Sequence, residues 1–165
     1  MTINWILEIE PWRLAFGPRP QSGDGLTDAI DVWASSGVKH VVSLLEETEA
    51  NALGLIDEEK LCRARGIEFH SFPIIDHGVP GSIDRTSSLV LNLAQLVRGG
   101  APVYVHCRAG IGRSGLIAAG ILLHLGYAFE DTFPMLSFAR GIEVPDTGAQ
   151  IDWVESYAKS LGVAR

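Results

Sequence analysis

Period-two alternation opens the chain. Ile3, Trp5, Leu7 and Ile9 interleave with Asn4, Ile6, Glu8 and Glu10, the pattern of a half-buried strand. Pro11 ends that run, and Arg13–Phe16 predicts a second short extended piece before Gly17-Pro18-Arg19-Pro20. Gln21–Gly25 has the composition of a loop. Thr27 is placed to cap a helix whose Ile30, Trp33 and Ala34 share a face and which closes at Gly37. Val38–Leu45 is an apolar run of the kind found in strands buried on both faces. Thr48–Arg65 is helical in tendency, with a break expected at Gly54 and an end at Gly66. Ile67–Ile75 is the next predicted strand, with Ile67 and Phe69 on one face.

The second half continues the alternation of strand and helix. Asp76–Gly81 is a loop, and Ser82 caps a helix in which Ile83, Val90, Leu93 and Val97 share a face before Gly99-Gly100 stops it. Ala101–His106 is a compact strand. The helix that follows its loop is apolar nearly all round, which places it centrally. Asp131–Arg140 predicts another helix, with Pro134 tolerated as a first-turn residue. Thr147–Leu161 is the last, opened by Thr147 and Gln150 at capping-box spacing. The prediction is a single α/β domain over residues 1–165, a mostly parallel twisted sheet with helices on both faces.

Composition agrees with that picture and narrows the function. At 165 residues and 47% hydrophobic content the chain is long and apolar enough for a substantial core. Net charge is −7, from 13 Lys and Arg against 20 Asp and Glu, which argues against a general nucleic-acid or anionic-membrane surface. Any phosphate site is therefore a local positive spot on an acidic protein. The two cysteines, Cys62 and Cys107, make no disulfide framework and favour a reducing, cytoplasmic compartment. Met1–Phe16 lacks the basic-then-apolar order of a secretory signal. The uncharged stretch Ser114–Phe129 is 16 residues long, short of the roughly 20 needed to span a bilayer.

The candidate chemistry sits in His106-Cys107-Arg108-Ala109-Gly110-Ile111-Gly112-Arg113-Ser114-Gly115, between a predicted strand and the apolar helix. Gly110 and Gly112 are expected to turn through positive φ, so that successive N–H groups face one concavity. The helix aims its N-terminus at the same spot and favours negative charge there. In that field Cys107 should lose its proton more easily than a free thiol, whose pKa is about 8.5. Arg113 is positioned to grip two phosphate oxygens at once. Each residue also has a plainer reading: a buried inert cysteine, a surface arginine, and Ser114 as a helix cap. A cation at a helix start opposes the dipole, however, and makes more sense with an anion to hold.

This run resembles the phosphate loop of the cysteine-dependent protein tyrosine and dual-specificity phosphatases. Trp5, Arg13-Leu14-Ala15, Pro18-Arg19-Pro20, Val41–Leu44 and Ala139-Arg140-Gly141 with Gln150 extend the likeness to the small atypical dual-specificity members. The resemblance implies that Cys107 is the nucleophile and that Arg108, Ala109, Gly110, Ile111, Gly112 and Arg113 hold the phosphate. It further implies that Ser114 eases departure of the thiolate, that His106 hydrogen-bonds around the loop, and that Gln150 lies near the attacking water. Thr147 already explains Gln150 as a cap. The leaving oxygen needs a proton from an acid on a movable loop. Asp76, 31 residues before Cys107, fits this role, and Pro73-Ile74-Ile75-Asp76 looks like the acid loop of the small members. Asp84 is the reserve, though its place in a helix first turn accounts for it. Some relatives protect the nucleophile with a disulfide, for which Cys62 would be the partner here; a helix-face core cysteine is the simpler reading.

Three other readings stand beside this one. Gly110–Gly115 also satisfies G-x-G-x-x-G, but a dinucleotide fold needs a further parallel strand after the helix, and Tyr127–Arg140 has helical character. A non-catalytic phosphoprotein-binding module would keep the cradle without needing both nucleophile and acid. The same chemistry on phosphoinositide or RNA 5′ phosphates is disfavoured by the acidic charge and the single extra basic residue, Arg108. The expected protein is a monomeric phosphatase that forms a cysteinyl-phosphate intermediate. It uses no metal or other cofactor, since His40, His70, His77 and His124 show no ligand spacing. It acts on a phosphorylated protein (phosphotyrosine, with phosphoserine or phosphothreonine) or a small phosphate monoester, with no nucleic-acid or membrane partner.

Overall fold

A computed structural model describes residues 2–162. Five strands form one mixed sheet in the order β1-β2-β5-β3-β4. β1 (Trp5–Ile9) and β2 (Trp12–Gly17) pair antiparallel, the two strands flanking Pro11. β2, β5 (Val103–His106), β3 (His40–Ser43) and β4 (Glu68–Ser71) are parallel. Four parallel strands with one antiparallel edge match the predicted mostly parallel sheet. β4 is shorter than the predicted Ile67–Ile75: past Ser71 the chain leaves the sheet as a loop that carries Asp76.

Helices cover both faces. Val41 faces a cluster built with Leu26, Ile30 and Trp33 of α1 (Asp24–Ser35) and Cys62 of α3 (Glu58–Ala64). The adjacent Val42 faces the larger cluster, which takes residues from α4 (Ile83–Arg98), α5 (Arg113–His124), α6 (Phe129–Arg140) and α7 (Gly148–Ser160). Consecutive side chains of a strand point to opposite faces, so the apolar run around β3 fills both layers. Fully burying one such Val, Leu or Ile contributes roughly 1.5–3 kcal/mol. The helical stretch Thr48–Arg65 divides around Gly54 into α2 (Glu47–Ala52) and α3, as its break predicted.

Three local expectations are corrected. α1 starts at Asp24 rather than after Thr27, because Leu26 joins the buried face and draws the first turn into the helix. Ile83 is 52% exposed: it occupies the first position of α4, before the helix reaches the core that Val90, Leu93 and Val97 enter. α6 begins at Phe129, with Phe129 edge-on to Phe133, so Pro134 lies inside the helix and not in its first turn. Glu130, whose carbonyl Pro134 cannot pair, is exposed to water. α5 is buried from Arg113 to Leu123, as its uniformly apolar sequence required. It is followed by α6 and no strand, which removes the dinucleotide fold.

Candidate active site

β5 lies between β2 and β3, and its C-terminal end delivers His106 and Cys107 to the mouth of the sheet, where such folds bind ligands. The chain then loops from Cys107 to Gly112 and enters α5 at Arg113. Gly110 has φ +71, and its bare α-carbon sits against the backbone of Gly17 and Pro18. A hydrogen bond from Arg19 N–H to the Arg108 carbonyl (3.2 Å) ties the same two segments together. Gly112 departs from expectation. Its φ is −81, within reach of any residue. Glycine is needed there for room, since a Cβ would lie 2.5 Å from Asp146 Oδ2 and 2.8 Å from Gln150 Nε2.

Cys107 is 3% exposed, with its Sγ 3.2 Å from the Ser114 hydroxyl at the start of α5. The α5 N-terminus and the Arg113 guanidinium both favour negative charge at that sulfur. Arg113 is itself 2% exposed. Its Nη1 donates to Glu49 Oε1 (2.8 Å) and to the Ile74 carbonyl (2.9 Å), and its Nη2 donates to Glu49 Oε2 (2.9 Å). Asp76 Oδ1 lies 3.0 Å from Nη2. Burial opposes the charge on Arg113, but the Glu49 hydrogen bond and the attraction of Cys107 and Asp76 offset it, and the net shift in its pKa is upward. The Glu49 carboxyl is held below the usual carboxylate range, chiefly by the hydrogen bond from Arg113.

Behind the loop, His106 is fully buried. Its Nε2 lies 2.6 Å from Glu58 Oε2 and its Nδ1 3.2 Å from the Cys107 carbonyl. Arg140, at the end of α6, donates to the carbonyls of Gly110 (2.7 Å) and Ala109 (3.1 Å) and braces the crest of the loop. Arg108 and Ala109 are exposed on that crest, with Ile111 half-buried beside them.

The structure thus brings Cys107 against Ser114 and Asp76 against Arg113 at the start of α5. Asp84 lies in the first turn of α4, the plainer of its two readings. Gln150 is fully buried and does what a cap does: its Oε1 accepts from the backbone N–H groups of Asp146 (3.1 Å) and Thr147 (3.2 Å). Its Nε2 donates to the Gly78 carbonyl (3.1 Å), which ties α7 to the acid loop. Cys62 sits in the core cluster on the opposite face of the sheet from that of Cys107, with its thiol pushed up to about 12 by burial. It is a core residue of α3 and no partner for the nucleophile candidate. Sequence reasoning missed Glu49, Glu58 and Arg140. Only Arg140 carried a signal, its place in the Ala139-Arg140-Gly141 segment.

A family model described as "PTP-SAK: Swiss Army Knife protein, DSP-PTPase phosphatase domain" matches residues 2–154. The chain belongs to this phosphatase family. Cyclin-dependent kinase inhibitor 3 of Rattus norvegicus is 27% identical over 129 residues, covering 77% of this chain and 60% of the relative. Putative tyrosine phosphatase 067L of Invertebrate iridescent virus 3 is 34% identical over 91 residues, covering 53% of this chain and 35% of the relative. The chain therefore spans about three fifths or less of these curated relatives. A crystal structure of kinase associated phosphatase, with serine in place of the catalytic-site cysteine, superposes with a TM-score of 0.86. That likeness is 21% identical, covers 98% of this chain and 96% of the other, and speaks for the fold. The expected phosphatase family and the expected α/β fold both stand.

Proposed function

We propose that this chain, as one catalytic domain over its 165 residues, hydrolyses phosphate monoesters through a cysteinyl-phosphate intermediate. The observation that carries the reading is the placement of Cys107 Sγ. It lies at the head of α5, against the Ser114 hydroxyl and within the field of Arg113, with Asp76 across the guanidinium. In the first step sulfur attacks phosphorus and the ester oxygen leaves, taking a proton from Asp76. In the second, water attacks phosphorus, Asp76 receives the water proton, and the S–P bond breaks. The Ser114 hydroxyl donates to the departing thiolate, and Arg113 with the loop amides holds the phosphoryl oxygens in both steps.

The substrate we assign is a phosphorylated protein, phosphotyrosine first, with phosphoserine and phosphothreonine also admitted. The name of the viral relative supports tyrosine, and the exposure of Ile75 (67%) beside Asp76 supports an open rather than a deep mouth. The net charge of −7 supports a protein substrate over a nucleic acid or an anionic membrane. No helix among the described residues is long and apolar enough to cross a membrane. A cytoplasmic monomer is the setting we assign. The test is turnover of p-nitrophenyl phosphate in excess EDTA, followed by a phosphopeptide panel. Full activity in Cys107→Ser would refute the nucleophile, and loss of turnover with retained phosphate binding supports it.

A further inference from the structure

The second chemical step needs a group that holds the attacking water in line with the S–P bond, and in this family pattern the residue at Gln150 is the one expected there. Here the acceptor of Gln150 is already taken, and what its amide keeps free on the phosphate-loop side is one N–H, a donor that cannot accept a hydrogen from the attacking water. Its carbonyl oxygen accepts two backbone N–H groups, and its amide nitrogen is engaged with Gly78. It is fully buried and serves as the joint between α7 and the acid loop.

Asp146 has the opposite character. It lies one residue before the Thr147 cap, and its Oδ2 stands 2.5 Å from the point a Cβ on Gly112 would occupy, so it rests directly on the phosphate loop beside Arg113. Its side chain is 30% exposed, and it accepts no hydrogen bond from any described residue. The basic nitrogen within 4 Å of it among the described residues is His77 Nδ1, at 3.8 Å. His77 also lies 3.8 Å, through Nε2, from Asp76 Oδ2, and its backbone N–H donates to Asp76 Oδ1 (3.0 Å). His77 is the one non-glycine among the described residues with positive φ, +59. The backbone hydrogen bond to Asp76 closes this left-handed turn, and the imidazole itself is 69% exposed. The imidazole thus stands between two carboxylates that border the same loop.

We propose that Asp146 is a further catalytic residue, the acceptor that orients the attacking water during hydrolysis of the cysteinyl phosphate, with His77 linking it to Asp76. The inference rests on the phosphatase reading above. One hydrogen of the water points to the Asp146 carboxylate and the other to Asp76, which takes the proton as the O–P bond forms and the S–P bond breaks to release the Cys107 thiolate. Asp146 itself ends the step unprotonated. The absence of a side chain on Gly112 is what admits the carboxylate to this position.

The test separates the two steps. In rapid mixing with p-nitrophenyl phosphate, Asp146→Ala should release the first equivalent of p-nitrophenol at the wild-type rate. Steady turnover should then fall by roughly tenfold or more, the order expected when a reacting group loses its positioning. Intact mass should show phosphorylated protein accumulating on Cys107, and added glycerol should capture a larger share of the phosphoryl group. Asp146→Asn keeps an acceptor oxygen and should recover much of the turnover. Unchanged steady turnover in Asp146→Ala, or equal loss in burst and steady phases, would overturn the proposal. Wild-type protein that neither turns over nor forms the phosphocysteine would overturn the phosphatase reading instead.

Discussion

Glu49 and Arg113 form a two-point ion pair, with both carboxylate oxygens within 2.9 Å of the two terminal guanidinium nitrogens. Together with the Ile74 carbonyl, Glu49 holds the guanidinium from the side of α2 and so fixes its plane. A planar fork held at one edge presents its other edge, including Nε, in a set direction, which is the geometry that two-point phosphate binding requires. Glu49→Ala frees the guanidinium to turn. Steady-state kinetics with p-nitrophenyl phosphate should show kcat/KM reduced by about tenfold or more. Glu49→Gln keeps one acceptor and should fall between. Because the Glu49 carboxyl is held below its ordinary value, the stability it contributes is present above about pH 4.5 and is lost as pH falls through the folded value.

Asp76 pairs with Arg113 Nη2 at 3.0 Å while keeping 40% of its side chain in solvent. The proton-donor role proposed for it predicts a dependence on the leaving group. Asp76→Asn should slow phenyl phosphate, a poor leaving group, by about a hundredfold or more, the usual worth of general acid catalysis. Esters of strongly acidic phenols should slow much less. The check is a series of aryl phosphates plotted against leaving-group pKa, in which the variant line steepens. Equal slowing across the series would move the acid role away from Asp76.

The division between what the sequence disclosed and what it hid follows the range of each interaction. Cys107, Arg113 and Ser114 lie on one continuous stretch of loop and first helical turn, and their spacing alone brings them together. Asp76 was legible as a candidate from its loop composition and the Pro73-Ile74-Ile75-Asp76 pattern. Val41 and Val42 disclosed the two-faced burial of β3 because a period of two is a local property. Glu49, 64 residues from Arg113, and Glu58, 48 residues from His106, were not legible. Each lies at a helix start, where an acidic residue is explained by the dipole alone, and only the tertiary fold gives it a partner. Gly112 was misread for a related reason: its requirement is space for Asp146 across the loop and not a backbone angle.

Gly110 meets both requirements at once, with φ +71 and a Cβ position overlapping the Gly17 carbonyl carbon and the Pro18 nitrogen. Neither neighbour is a flexible side chain that could swing aside. Gly110→Ala should therefore cost about 3 kcal/mol or more, since the strain of an alanine at positive φ adds to a clash with backbone. For a domain of this size that lowers the melting temperature by roughly 6–12 °C. Phosphatase activity should disappear with it. Gly148→Ala, in the first turn of α7 with open space around its α-carbon, serves as the control and should leave melting unchanged or raise it slightly. Differential scanning calorimetry of the two variants makes the comparison.

His40 on β3 and His70 on β4 face one another with Nδ1 and Nε2 3.0 Å apart, a distance at which one nitrogen must donate and the other accept. Both are pushed below the ordinary imidazole value, each mainly by burial, with their mutual repulsion adding to the shift at His40. His124 is lowered in the same sense by burial and by Arg98. The sign follows. Below about pH 6.5 these imidazoles take up protons in the unfolded chain while the folded protein resists them, so stability falls as pH drops from 6.5 toward the folded values. Above 6.5 the contribution is complete and flat. Urea melts between pH 5 and 7.5 should show the midpoint declining on the acid side. In the double variant His40→Asn, His70→Asn the decline should become shallower, because two of the three groups responsible are gone. An equally steep decline in the double variant would assign the acid sensitivity to other groups.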